Sequence, residues 1–267
     1  GGPATTLLVG AGMLFPAIGV VLTRLVTGEG FAHAWIKPVK FRCTWKYSVA
    51  GWFGPIVLVA AGAVVFFLAN PGDFDPAMPG FVGLVQEQLG ATGQADAFDA
   101  AQLRVMGYAQ LALVFVAPLL NCVTCFGEEW GWRGYLLPKL MERHSATYAV
   151  VASGIVWGLW HAPITALGHN YGLGYPGWPI TGVLAMCGFC VVLSAFFSWL
   201  TLRAKSCLPA VLAHGALNGC AAAPAMFAIA ANPFVGPAPT GILGGIGFIA
   251  AAVILLVAMS GTKGQAD

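Results

Sequence analysis

An all-α polytopic membrane bundle of seven or eight helices, with a polar cavity inside the membrane, is the fold that three observations predict. Hydrophobic residues make up 58% of the 267 and charged residues only 8%; mean hydropathy is +0.81; and stretches of about 20 apolar residues recur, the length that crosses a hydrocarbon core. A soluble domain could not expose so few charges, because apolar side chains would have to cover its surface. The formal charge of +2 and the lack of a basic run outside the turns leave nucleic acid without support as a partner. The lipid bilayer is the partner that composition implies.

The first span, Thr5 to Val26, has no small-residue cleavage site behind a short apolar region, so it is expected to be a retained helix and not a signal peptide. Lys37, Lys40, Arg42 and Lys46 then alternate with Phe31, Trp35, Phe41, Trp45 and Tyr47, the pattern of an interfacial segment on an anionic cytoplasmic leaflet. After the second span, Ser48 to Ala69, the connection carries Asp73, Asp75, Glu87, Asp96 and Asp99 before any base, which assigns it to the opposite side. Gly80 to Gly90 can form a short surface helix there.

A third span, Leu103 to Phe126, runs straight into charged sequence. One unbroken helix from Leu103 to Arg143 would be about 60 Å long, twice the hydrocarbon thickness, so a break is expected, at Pro118 and Gly127. The remaining spans are Thr147 to Leu167, Ile180 to Leu202, Leu208 to Ala230 and Gly241 to Met259, with Lys139 and Arg143, then Arg203 and Lys205, then Lys263 on alternate connections. No long linker or internal repeat divides the chain, so residues 1–267 are read as one domain.

The charged stretch is Gly127-Glu128-Glu129-Trp130-Gly131-Trp132-Arg133-Gly134-Tyr135-Leu136-Leu137-Pro138. Each such charge near the bilayer centre costs roughly 2.5–3.5 kcal/mol on insertion scales, so partners are required. Glu129 and Arg133 stand four residues apart on one helix face, acid before base, and can neutralise each other. Glu128 projects about 100° away and is left to face another part of the bundle. Two further spans carry polar groups. His161 is the only ionisable residue of its helix, in Trp157-Gly158-Leu159-Trp160-His161. His214 and Asn218 share a helix face, with Gly215 and Gly219 permitting close approach of another chain. Each alone fits an interhelical hydrogen bond; together they form a candidate site, since catalytic groups must converge.

The order Glu-Glu-x-x-x-Arg, aromatic-x-x-x-His, His-x-x-x-Asn resembles the CAAX-protease and bacteriocin-processing (CPBP) family of intramembrane endopeptidases, which includes Rce1-type prenyl-protein proteases. The resemblance covers roughly Val116 to Ala221; the flanking helices carry no family signal, and Trp157 stands where the family usually has Phe. It implies that Glu128, assisted by His161, activates a water, that His214 and Asn218 stabilise the oxyanion, and that Arg133 orients Glu129. Trp132 and Trp157 are assigned to the substrate cleft, and the substrate is expected to be a membrane-associated protein or peptide.

Two His and one Glu are also the ligand set of many hydrolytic zinc sites, but the His-Glu-x-x-His pair on one helix is missing, so no cofactor is expected to be required, with zinc as the alternative. Cys122-x-x-Cys125 and Cys187-x-x-Cys190 lie in apolar spans about 60 residues apart, unlike zinc ribbons, and are read as packing thiols. The rival class is a non-catalytic relative or a small-solute transporter using the same buried polar groups. Counting depth from Arg143, Ser145, Arg203 and Lys205 predicts a cavity open to the cytoplasmic side, with Ala210 and Ala213 accessible to water.

Overall fold

A computed structural model describes residues 10–260 apart from 39 and 95; residues 5–9 of the first expected span and Lys263 lie outside the described residues. The chain is helical throughout and, among the described residues, holds only two isolated β-bridges. Its elements are α1 (Phe15–Thr27), α2 (Phe41–Ala69), α3 (Pro79–Ala91), α4 (Ala100–Leu113), α5 (Ala117–Leu120), α6 (Cys122–Gly131), a π-helical turn (Trp132–Leu136) and α7 (Leu137–Met141). There follow α8 (Ala146–Trp160), α9 (Ala162–Ala166), α10 (Ile180–Ala204), α11 (Leu208–Cys220), α12 (Ala223–Met226) and α13 (Ile246–Ser260).

Three helices are long and apolar enough to cross a membrane, Gly10–Thr27, Phe41–Ala69 and Ile180–Ala204. Their outer faces carry Val26, Leu68 and Leu184, all exposed, as lipid-facing side chains would be. This is an integral membrane protein. Several expected spans are shorter in the structure, and proline explains where they stop. The proline ring clashes with the carbonyl four residues earlier; accordingly α4 ends just before Val114, four before Pro118, α8 ends beside Leu159, four before Pro163, and α11 ends at Cys220, four before Pro224. The third span is therefore not one continuous helix, although α2 carries Pro55 in its interior.

Gly127 is not a break. It lies inside α6, where a Cβ would come within 2.5 Å of the Met13 carbonyl, while one at Gly131 would meet Pro16 Cβ at the same distance. Gly127 and Gly131 are thus a small-residue groove, four apart, into which the start of the first helix packs. Gly154 and Gly158 do the same for α8 against α10: a side chain at Gly158 would overlap the Cys187 backbone. Ser153 Oγ and Ser194 Oγ hydrogen-bond across that contact at 3.2 Å.

Charge sorts the two ends of the bundle. Lys37, Lys40, Lys139, Arg143, Arg203 and Lys205 gather at one end, where residues 29–36 form a strap tied to both α11 and the α6–α7 region. Tyr135 Oη donates to Glu29 at 2.7 Å, Lys139 Nζ pairs with Glu29 at 2.8 Å, and Trp130 Nε1 donates to the Ala34 carbonyl at 2.9 Å. Ser206 Oγ donates to Ile36 O at 2.6 Å, and Cys207 N donates to Trp35 O at 2.7 Å. The Lys139 ammonium, with the Tyr135 hydroxyl, holds the Glu29 carboxyl down from 4.5 to about 2, so this anchor stays ionised. At the other end Ile229 N donates to Asp73 O and Asp75 N to Phe227 O, and Asp99 with Gln102 forms a capping box on α4.

Because α8 and α10 meet backbone to backbone at Gly158, Gly158→Val should lower the unfolding midpoint in detergent by an amount worth at least about 1–3 kcal/mol, the scale of overpacking. A variant melting with the parent would mean that α8 and α10 do not touch there.

Candidate active site

The two carboxylates of α6 point in different directions because they are adjacent on a helix, and each meets the residue four positions on. Glu129 Oε2 pairs with Arg133 Nη1 at 3.0 Å, with both side chains fully buried. The expected ion pair is present, and it has a third member: His214 Nδ1 lies 2.9 Å from Glu129 Oε1. A carboxylate oxygen accepts, so His214 Nδ1 carries the proton and Nε2 is the nitrogen left for other work. Arg133 also stacks over Trp157, its Cζ 4.2 Å from the ring centroid.

Glu128 has no cation. Its Oε2 accepts from Trp157 Nε1 at 2.6 Å and from Trp132 Nε1 at 3.3 Å, while Oε1 has no hydrogen-bond partner among the described residues. The two tryptophans assigned to the substrate cleft thus hold one oxygen of the carboxylate. Trp157, 2% exposed, also contributes to the cavity wall, whereas Trp132 does not. The π-helical turn begins at Trp132, a local widening of the kind often found at functional sites.

His161 sits where α8 gives way to α9, its Nδ1 2.8 Å from the Trp157 carbonyl. Because a carbonyl only accepts, Nδ1 is protonated and Nε2 is free. Asn218 is exposed, and its amide makes one long contact, 3.6 Å to Cys125 Sγ. The glycines of its helix permit close approach, as expected, and the approaching chain is α5: Gly215 packs on Pro118, Gly219 on Ala117, and Asn121 Nδ2 donates to Gly215 O at 3.1 Å.

Glu128, His161, His214 and Asn218 line one cavity of about 980 Å³, so the structure brings the four together. Glu129 and Arg133 stand behind its wall. Two contributions escaped the sequence reading. His169, in the connection after α9, lines the cavity with its ring stacked on His161 at 6.3 Å, and Gly12, Met13 and Phe15 close one side. The groove of Gly127 and Gly131 was a legible signal for the second; nothing in the local pattern marks the first.

The expected opening beside Ala210 and Ala213 is not there. Both are 0% exposed, because the first half of α11 packs on α2, where Gly51 admits Pro209. The cavity instead takes Met186 to Leu193 from the first half of α10 and Leu217 to Ala222 from the end of α11 and beyond, the halves remote from the basic end. Among the described residues no three His, Cys, Asp or Glu side chains are grouped as a metal site. All seven cysteines are free thiols.

Residues 110–220 match the family model of the type II CAAX prenyl endopeptidase Rce1-like proteins. A curated relative, CAAX prenyl protease 2 of Methanococcus maripaludis, is 30% identical over 92 residues, which cover 34% of this chain and 34% of that protein. The matched segment is therefore about a third of that relative's length. No solved structure matches the chain.

Trp157→Phe keeps a ring beneath Arg133 but removes the shorter hydrogen bond to Glu128. A hydrogen bond to a charged group is worth about 1.5–3 kcal/mol of stability, so the unfolding free energy should fall by about that much, and turnover, which needs the carboxylate held in place, should fall roughly 10- to 100-fold. Full activity in that variant would show that the indole does not position the carboxylate.

Proposed function

We propose, for a chain whose residues 110–220 match the Rce1-like family model, that it is an intramembrane endopeptidase in which Glu128 activates a water against a peptide bond of a membrane-associated protein or peptide. One observation carries the reading: Glu128 is fixed through Oε2 by two indoles while Oε1, without a protein partner, belongs to a wall shared with His161, His214 and Asn218.

Glu128 Oε1 takes a proton from the water as its oxygen adds to the scissile carbonyl carbon, and His161 Nε2 accepts the water's second hydrogen bond. The carbonyl oxygen becomes an oxyanion, to which Asn218 Nδ2 donates; such a donor is worth about 3 kcal/mol. His214 can donate as well only with both ring nitrogens protonated, since Nδ1–H is spent on Glu129. Collapse of the intermediate breaks the C–N bond, and the proton held by Glu128 passes to the leaving amine. No step runs through a metal.

The test is a purified preparation in detergent assayed for cleavage of membrane peptides by mass spectrometry. Glu128→Gln, which keeps the shape and an oxygen for the indoles, should lose at least about 10³-fold in rate while melting with the parent, and the parent should keep its activity after exhaustive chelation. Retained turnover in Glu128→Gln overturns the role of Glu128; activity lost on chelation and restored by stoichiometric zinc overturns the metal-free mechanism.

A further inference from the structure

The cations at the basic end of the bundle are of two kinds. Lys139 is spent on Glu29 at 2.8 Å and on Glu142 at 3.3 Å, and Arg24, itself buried, donates to Gly30 O at 2.7 Å. Lys37, Lys40, Arg42 and Lys46 are different: all four are exposed, and none forms an ion pair with a described acid. The local sequence holds no acid for them either. No Asp or Glu stands between Glu29 and Asp73, and Glu29 is taken by Lys139 and Tyr135. Arg42 and Lys46 lie four residues apart on one face of α2, so they repel each other unless an anion joins them.

Depth in the membrane identifies that anion. α2 has 29 residues and is about 43 Å long at about 1.5 Å per residue, whereas the hydrocarbon core is about 30 Å thick. Residues 48–69 suffice to cross the core, which leaves residues 41–47 in the headgroup layer. Phe41 and Trp45, again four apart, are 59% and 53% exposed there, as interfacial aromatic anchors are. Four unpaired bases beside a spanning helix are a cluster of the size that recognises anionic lipid headgroups.

The same bases stand at the end of the strap. Lys37 follows directly on residues 29–36, where the Trp35 and Ile36 carbonyls accept from Cys207 N at 2.7 Å and Ser206 Oγ at 2.6 Å, the two residues before α11. The Ala34 carbonyl accepts from Trp130 Nε1 of α6 at 2.9 Å. Beyond the bases, α2 packs on the start of α11, where Gly51 meets Pro209. The basic segment is therefore fastened to α11 on both sides and to α6 on one, and these are the helices that share the contact between Glu129 and His214.

We propose that Lys37, Lys40, Arg42 and Lys46 form a binding surface for anionic phospholipids of the surrounding bilayer, and that lipid held there fixes the strap across α6 and α11. The partner is a lipid because its phosphate lies at the depth of these bases while its chains cover Phe41 and Trp45. The surface needs no catalysis by Glu128, so it stands whether or not the chain is a peptidase.

The test places the purified full chain in phosphatidylcholine nanodiscs with and without phosphatidylglycerol. Spin-labelled lipids would report which headgroup is selected at the protein boundary, and hydrogen exchange would follow the Cys207 amide, which donates to Trp35 O. The parent should select the anionic lipid at least about tenfold, a modest share of what four bases near an anionic surface supply. The Cys207 amide should exchange at least about fivefold more slowly when phosphatidylglycerol is present. Both effects should vanish when Lys37→Gln, Lys40→Gln, Arg42→Gln and Lys46→Gln are combined. Both should largely survive the combination of Arg143→Gln, Arg203→Gln and Lys205→Gln, which removes three exposed bases of other connections.

No selection by the parent, undiminished selection by the fourfold variant, or an equal loss in the threefold variant overturns the binding surface. Selection without any change at the Cys207 amide overturns its coupling to the strap. If soluble glycerol phosphate slows that amide in phosphatidylcholine as much as phosphatidylglycerol does, the partner is a free anion and the lipid assignment fails.

Discussion

The buried carboxylate of Glu129 is shared between Arg133, one turn on, and His214, from a helix 85 residues away in sequence. Three charged or chargeable groups inside an apolar bundle are tolerable only as a set, since removing one partner of a buried pair costs about 3–5 kcal/mol. That constraint fixes α11 against α6 in one register. It places Asn218, one turn beyond His214, on the cavity wall, and it consumes Glu129 so that Glu128 is the carboxylate left facing open space. The indoles of Trp132 and Trp157 do the complementary task, holding Glu128 by one oxygen without neutralising it.

The backbone cooperates with this arrangement through small residues and prolines. Gly127 and Gly131 admit the first helix, Gly154 and Gly158 admit α10, and Gly215 and Gly219 admit α5. Pro118, Pro163 and Pro224 stop helices at the level of the cavity, so that it is walled by helix ends and connections on one side and by continuous helices on the other. A bundle of unbroken spans with the same composition would have no room for it.

How much of this was legible follows from the range of each interaction. The helical membrane class came from composition alone, and the Glu129–Arg133 pair from a four-residue spacing, because both are local properties of the chain. The contact of His214 with Glu129 is not local, and no spacing encodes it; convergence of the polar groups could be expected, but not which nitrogen meets which oxygen. The helix ends were misjudged where apolar runs were followed past Pro163 and Pro224, although the clash of a proline ring with the carbonyl four residues back was available to argument. The burial of Ala210 and Ala213 was missed for a related reason. Counting depth along straight spans treats His214 as shallow and water-accessible, whereas α11 begins beneath a strap that only the fold reveals, built from residues 29–36, which composition marks as an interfacial loop.

Glu129 and Arg133 form one buried unit, and a double-mutant cycle in detergent measures their coupling. Glu129→Gln and Arg133→Met should each lower the unfolding free energy by about 3–5 kcal/mol, and the double variant should cost much less than the sum, a coupling of roughly 2–3 kcal/mol or more. Additive costs, or an Arg133→Met protein as stable as the parent, would contradict it.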